Sequence, residues 1–228
     1  MSRAQPPGLF IIGADTGVGK TYVAALIAQA LVAAGVRVGV YKPAASGCTW
    51  RGDELVSDDA LALWQAAGQP GTLSRVCPQR FEAPLAPHLA AEAEGRELDA
   101  ALLRTGLDYW REQSEFVLVE GAGGFLSPLG PEDYVANLAA EFGYPLVVVV
   151  RNAVGAINQA LQTLVAVTAW AEELSIAGIV LNQTEPRPDD PSLATNRREI
   201  ELRAQPPVLA ELGYGAKGFG PAVDWRAV

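Results

Sequence analysis

The sequence predicts a doubly wound α/β fold, a mainly parallel sheet with helices on both faces. Three observations carry this reading. Short apolar runs alternate with helix-patterned stretches five or six times along the chain. Runs such as 146–150, Leu146 followed by four valines, are apolar on both faces, as strands covered on both sides are. A glycine-rich segment separates the first apolar run from the first helical stretch.

Taken in order, residues 9–13 read as a buried strand and 20–34 as a helix rich in Ala, Leu and Val, stopped by Gly35. The next strand is 36–41. Residues 58–67 look helical and close at Gly68, and prolines at 70, 78, 84 and 87 punctuate a loop-rich stretch over 69–95. A helix at 98–113 leads to a strand at 116–119. A helix at 134–141 leads to the valine strand at 146–150, and a long helix at 156–174 to a strand at 176–181. A helix near 193–203 and a short strand at 207–209 precede a weakly patterned end. The Pro-rich 184–191 reads as a surface loop, because only a small segment follows it. No repeat of fixed period is present, so 1–228 is expected to be a single domain, with 1–7 a disordered tail.

Composition excludes several classes. Half of the 228 residues are hydrophobic and 19% are charged, ample for a buried interior. No apolar run reaches the roughly 18 to 20 residues of a membrane span, and the start lacks a signal-like apolar region. A net charge of −9 argues against nucleic-acid binding, although a local positive cradle remains compatible with it. Cys48 and Cys77 are too few for a disulfide framework, lack metal-site spacing, and have one histidine, His88, for company. A cytoplasmic protein with reduced thiols is expected. The only lysines are Lys20, Lys42 and Lys217. Two of the three lie at the ends of predicted strands beside small residues, where α/β proteins bind ligands.

Gly13-Ala14-Asp15-Thr16-Gly17-Val18-Gly19-Lys20-Thr21 sits between the first strand and the first helix. There, backbone amides and the helix N-terminus face phosphate oxygens, as in a P-loop. Gly17 and Gly19 let the backbone approach an anion, Lys20 reaches terminal phosphates, and Thr21 offers its hydroxyl to Mg²⁺. Five residues rather than four separate Gly13 from Gly19, and Ala14 holds the usual first-glycine position. Strand before, helix after and the Gly-Lys-Thr ending still mark a P-loop NTPase-like fold.

Other strand ends add chemistry. Lys42-Pro43-Ala44-Ala45-Ser46-Gly47 follows the second strand, and Pro43 stops sheet continuation so that Lys42 is presented at its edge. Glu120-Gly121-Ala122-Gly123-Gly124 follows the third, with a carboxylate placed for Mg²⁺ and glycines open to a ligand. Asp58 and Asp59 begin a helix, where one can cap and the other bind metal. Asn182 ends the fifth strand and can read a nucleobase edge, although Asn also ends strands for turn reasons. Gly155-Ala156-Ile157-Asn158 opens a helix whose free amides favour a carboxylate. His88, after Pro87, has an ordinary loop role.

Together these segments, with Asp59-Ala60-Leu61 and Pro84-Leu85-Ala86-Pro87-His88, resemble the dethiobiotin synthetase family over nearly the whole chain. The variant loop spacing is itself a trait of that family. The resemblance implies ATP- and Mg²⁺-dependent ring closure in biotin biosynthesis. The diamine 7,8-diaminononanoate and CO₂ (or bicarbonate) form a carbamate; ATP phosphorylates it, and the second amine displaces phosphate to give a cyclic urea. Phosphoryl transfer asks for positioning and charge neutralisation rather than a protein nucleophile. By carry-over, Lys20 and Lys42 neutralise the carbamate and transferring phosphate, and Gly17, Val18, Gly19, Lys20 and Thr21 cradle the nucleotide. Thr21, Asp59 and Glu120 serve Mg²⁺, while Gly121, Ala122 and Gly123 line the nucleotide site. Asn182 and Gln183 face adenine, near the late turn Leu212-Gly213-Tyr214. Thr16 and Ser46 contact the diamine, whose carboxylate tail in this family is held partly by the second subunit of a homodimer, at Ala156, Ile157 and Asn158. The sequence departs from the family at Ala14, often threonine, at Ala86, often serine, and in lacking a proline at the late turn.

Two rivals share the fold. A cobyrinate-type amidoligase normally adds a glutaminase domain with a catalytic cysteine, for which this chain has no room. A ParA/MinD-like ATPase switch typically has an extra lysine early in the loop, where Ala14 and Asp15 stand, and often an amphipathic tail, which 216–228 does not form.

Overall fold

The computed structural model describes residues 5–228. Of the tail expected at 1–7, residues 1–4 lie outside the described residues. Gln5 donates from Nε2 to Phe142 O at 3.1 Å, and Pro7 O accepts from Val117 N at 3.0 Å.

The chain runs β1 (Gly8–Gly13), α1 (Lys20–Ala33), β2 (Val38–Tyr41), β3 (Ala44–Ala45), β4 (Thr49–Arg51), β5 (Glu54–Val56), α2 (Asp58–Ala66), α3 (Leu73–Val76), β6 (Gln79–Arg80), α4 (Pro87–Ala93) and α5 (Ala100–Gln113). It continues through β7 (Phe116–Gly124), α6 (Val135–Phe142), β8 (Leu146–Arg151), α7 (Ala156–Trp170), β9 (Ile176–Asn182), a 3₁₀ turn (Pro191–Ala194), α8 (Asn196–Glu201) and β10 (Val208–Leu212). Six parallel strands form the main sheet in the order β10-β9-β8-β1-β7-β2. The chain moves one way from β1 to β2 and then reverses. Right-handed crossovers therefore put α1 on one face and α5, α6, α7 and α8 on the other.

Burial on both faces explains the apolar strands: Leu9, Phe10, Ile11, Ile12 and 146–150 are fully inaccessible. Each such Leu, Ile, Phe or Val contributes about 1.5–3 kcal/mol. Two of the helices start on capping side chains. Ser57 accepts from Ala60 N at 3.2 Å to begin α2, and Asp99 accepts from Leu102 N at 2.8 Å to begin α5. Loss of either cap costs about 1 kcal/mol.

Several boundaries differ from the sequence expectation. β7 runs beyond 119 through its glycines, because pairing with β1 overrides low strand propensity; the register shifts between Ile11 and Gly13. α7 ends at Trp170 rather than 174, where Glu172 and Glu173 oppose the helix dipole. β10 extends to Leu212, burying Val208, Ala210 and Leu212 on alternate positions against β9. α8 is shorter than 193–203, its first turn being replaced by the 3₁₀ segment. The loop-rich stretch 69–95 holds α3, β6 and α4, and 49–56 forms an unexpected hairpin whose three-residue strands are too short and too exposed to show alternation. No helix among the described residues is long and apolar enough to cross a membrane.

Candidate active site

Because the strands of the main sheet are parallel, their carboxyl ends open on one edge, and the predicted site segments follow those ends. At the end of β1, Ala14 N donates to Val149 O at 2.8 Å, and the loop then turns through Gly17 (φ 70°) and Gly19 (φ 85°). Both values lie in the left-handed region that only glycine occupies cheaply. Gly19 leads straight into α1, so the helix presents Lys20 and Thr21 at its N-terminus.

A cleft of about 740 Å³ opens beside this loop. Thr16, Gly17, Gly19, Lys20 and Thr21 form one wall. Lys42, Ser46 and Asp59 form another, with Glu120, Ala122 and Gly123 at the end of β7. Lys42 Nζ lies 2.5 Å from Glu120 Oε1 and 3.1 Å from Asp59 Oδ2, and Thr21 Oγ1 donates to Glu120 Oε1 at 2.8 Å. Lys42 and Glu120 are 3% and 1% exposed, so this pair sits in a low dielectric.

The charges respond to that setting. Burial alone pushes Lys42 down, but Glu120 and Asp59 outweigh it and hold the ammonium well above the ordinary lysine value. Burial would raise Asp59, and Lys42 overcomes this, leaving its carboxyl below the usual range. Lys20 goes the other way: burial lowers it, the charge of Lys42 adds to the effect, and Glu120 offsets only part. An anion arriving at Lys20 would relieve both penalties. Glu120 Oε2 is buried with no hydrogen-bond partner among the described residues. A buried carboxylate oxygen left open, beside a threonine hydroxyl and a second carboxylate, suits a hard cation that keeps several waters, as Mg²⁺ does.

The far end of the cleft is built from later segments. Asn182, buried at the end of β9, donates from Nδ2 to Val18 O at 2.9 Å, and its Oδ1 has no partner among the described residues. Gln183 lines the cleft, its N donating to Leu212 O at 3.0 Å and its Oε1 accepting from Tyr214 N at 3.2 Å. Tyr214 also lines it. The Tyr22 hydroxyl donates to Ala216 O, fastening the C-terminal segment over the start of α1.

Some predicted site residues stand behind the surface. Val18 and Leu212 are buried, whereas Gly213 is exposed in the turn after β10. Gly121 packs under the cleft floor, where a Cβ would fall 2.8 Å from Val135 Cγ1. Ala156, Ile157 and Asn158 open α7 and do not line this cleft. Nearby, a second cleft of about 380 Å³ shares Thr16 and is lined by Asp15, Ser127, Gln159 and Gln162. His88 Nδ1 lies 3.2 Å from Pro128 O, Lys217 is exposed, and Cys48 and Cys77 are buried and free. Burial pushes the Cys77 thiol up to about 12.

Sequence reasoning missed Arg151, which ends β8 and donates to Gly17 O at 3.3 Å. It also missed Tyr22 and Thr184, which line the cleft. Arg151 had a readable signal, a charged residue closing an all-valine strand at the ligand edge. The other two stand next in sequence to Thr21 and Gln183, so their signal was adjacency to segments already singled out.

A family model described as an AAA domain matches residues 7–217. The chain is 44% identical over 193 residues to an ATP-dependent dethiobiotin synthetase BioD of Anaeromyxobacter dehalogenans, covering 85% of this chain and 83% of that one. It is 38% identical to a protein of the same name from Aromatoleum aromaticum, covering 96% and 95%, and 37% identical to that of Rhodopirellula baltica, covering 89% and 82%. Among solved structures, a ParA family ATPase from Chlorobium tepidum superposes with a TM-score of 0.53 at 13% identity, covering 93% of this chain and 85% of that one. The signal recognition particle receptor FtsY from Elizabethkingia anophelis gives 0.54 at 15%, covering 94% of this chain and 61% of the FtsY chain. At such identities these two likenesses speak for the fold alone.

Proposed function

The chain belongs to the dethiobiotin synthetase family, and from that premise we propose that it is a cytoplasmic ligase making dethiobiotin from 7,8-diaminononanoate, CO₂ and ATP. The observation that carries the residue assignment is the buried Lys42–Glu120 pair against the glycine loop, joined at its solvent side by Asp59 and Thr21. Such a cluster supplies charge neutralisation and positioning but no side-chain nucleophile, which is what phosphoryl transfer to a carbamate requires.

In this reading one amine of the diamine adds to CO₂ and loses a proton to give the carbamate. A carbamate oxygen attacks the γ-phosphorus and ADP leaves. The second amine then attacks the carbonyl carbon, expelling phosphate and closing the urea. Lys20 and Lys42 neutralise the carbamate and the transferring phosphoryl group. Thr16 and Ser46 orient the diamine, and Gln183, Tyr214 and the open Oδ1 of Asn182 face the base. Thr21, Asp59 and Glu120 would hold Mg²⁺, which when bound neutralises phosphate charge. Lys42 already occupies Glu120 Oε1, leaving Oε2 for the cation.

A homodimer belongs to the same reading. Val154, just before α7, is 80% exposed, and Val165, about two turns along that helix from Asn158, is 68% exposed. A second copy covering them would bring Ala156, Ile157 and Asn158 to its neighbour's diamine. Light scattering should give about twice the chain mass; a monomer at micromolar concentration would remove the shared site.

The deciding assay is ADP release. It should require both the diamine and bicarbonate, with only residual hydrolysis when either is omitted. Vigorous hydrolysis without diamine, stimulated instead by a protein or lipid, would overturn the ligase reading in favour of an ATPase switch.

A further inference from the structure

We propose that Arg151 and Asn182 shape the phosphate cradle itself, acting as struts that fix two successive peptide planes of the loop. The inference rests on reading 13–21 as a phosphate cradle. It goes beyond base recognition by Asn182 and gives Arg151 its first role.

The struts come from the carboxyl ends of neighbouring strands, β8 and β9. Arg151 Nη2 donates to Gly17 O at 3.3 Å, and Asn182 Nδ2 donates to Val18 O at 2.9 Å. A trans peptide is planar, with its C=O and N–H pointing in opposite directions. Holding the Gly17 carbonyl toward Arg151 therefore turns the Val18 N–H away from it. Holding the Val18 carbonyl toward Asn182 does the same for the Gly19 N–H. Neither amide donates to an acceptor among the described residues, so both are free for an anion.

The loop needs such fixing because Gly17 and Gly19 are both left-handed glycines, whose peptide planes rotate at small cost. A rotated plane would present a carbonyl oxygen to the phosphates where an amide is wanted. Only glycine fits at position 19 against this strut: a Cβ there would lie 2.2 Å from Asn182 Nδ2. Asn182 is 2% exposed and holds its Nδ2 on the loop while Oδ1 stays open. One amide thus serves the loop with its nitrogen, while its buried oxygen has no partner among the described residues.

The test uses probes that separate the two ends of a nucleotide: inorganic tripolyphosphate with magnesium, and adenosine, each titrated calorimetrically into the full chain. Asn182→Ala should weaken tripolyphosphate about tenfold, since a buried carbonyl loses its donor. Normal tripolyphosphate binding with only adenosine affected would reduce Asn182 to a base reader and overturn its strut role. For Arg151, Met and Gln variants carry the same charge and differ in the ability to donate. Arg151→Gln should bind tripolyphosphate several-fold more tightly than Arg151→Met, with adenosine unchanged in both. Equal binding by the two would show that only charge matters and overturn the second strut. The Arg151 pair also decides the matter if Asn182→Ala does not fold. Failure of the unaltered chain to bind tripolyphosphate would sink the cradle reading and the struts with it.

Discussion

Beside the glycine loop, Lys20, Lys42 and Glu120 are each at most 8% exposed and stand at the start of α1, just after β2 and within β7. At the base end, Tyr214 is 59% exposed and is held by one backbone-to-side-chain hydrogen bond to Gln183. The first region is anchored in the sheet and its charges interlock; the second is a set of loop residues fastened to one another. In the proposed reaction the contrast separates two tasks. Charge neutralisation needs a dry, rigid setting in which a small displacement is costly. Base selection tolerates adjustment, so departures such as the missing proline at Leu212-Gly213-Tyr214 fall where the chemistry is least exposed to them.

The largest test of this contrast is Lys42→Ala. Turnover should fall by about 10²- to 10³-fold, because a group aimed at developing charge is lost. ATP affinity should change little. The substitution also leaves Glu120 buried without its cation, so the free protein should lose about 3–5 kcal/mol in urea unfolding. Unchanged turnover would remove Lys42 from the mechanism.

A smaller effect concerns pH. Because burial and Lys42 depress Lys20, its charge is lost at a pH below the ordinary lysine value of about 10.4. Phosphate binding favours the charged form, so ATP binding should take up a proton in that alkaline range. Affinity should fall by up to about tenfold per pH unit once Lys20 titrates. Lys42 has the opposite sign. Its raised value means that its stabilising contribution is complete below the ordinary lysine value and is lost only as pH rises through the elevated one. Calorimetry in buffers of different ionisation enthalpy measures the proton uptake, which Lys20→Met should abolish. A flat profile in the unaltered chain would contradict the burial argument.

The smallest effect belongs to the base end. Gln183→Ala should raise KM for ATP by about three- to tenfold and leave kcat nearly unchanged. A large fall in kcat would mean that the two ends are not separate.

Much of the site was legible because it is local. The loop 13–21, the Lys42 strand end and the Glu120 strand end each carry their chemistry within a few residues of an apolar run, so periodicity and residue type locate them. The base end was only half legible. Asn182 stood out at a strand end, but its partner Val18 lies 164 positions away, and nothing local announces that bond. Ala156, Ile157 and Asn158 were read from a family pattern, and within one chain they stay away from the main cleft.

The opening P-loop feature shows the same division. Residue type and spacing alone marked the segment from Gly13 to Thr21, between a strand and a helix, as a candidate phosphate cradle, because steric freedom, charge and helix ends act over a few residues. Tertiary structure alone decided that β8 lies beside β1 and β9 beside β8, so that Arg151 and Asn182 reach two loop carbonyls, and that Lys42 lies between Glu120 and Asp59. Strand order is set by which apolar faces bury together across the whole chain, and no short window of sequence contains that sum.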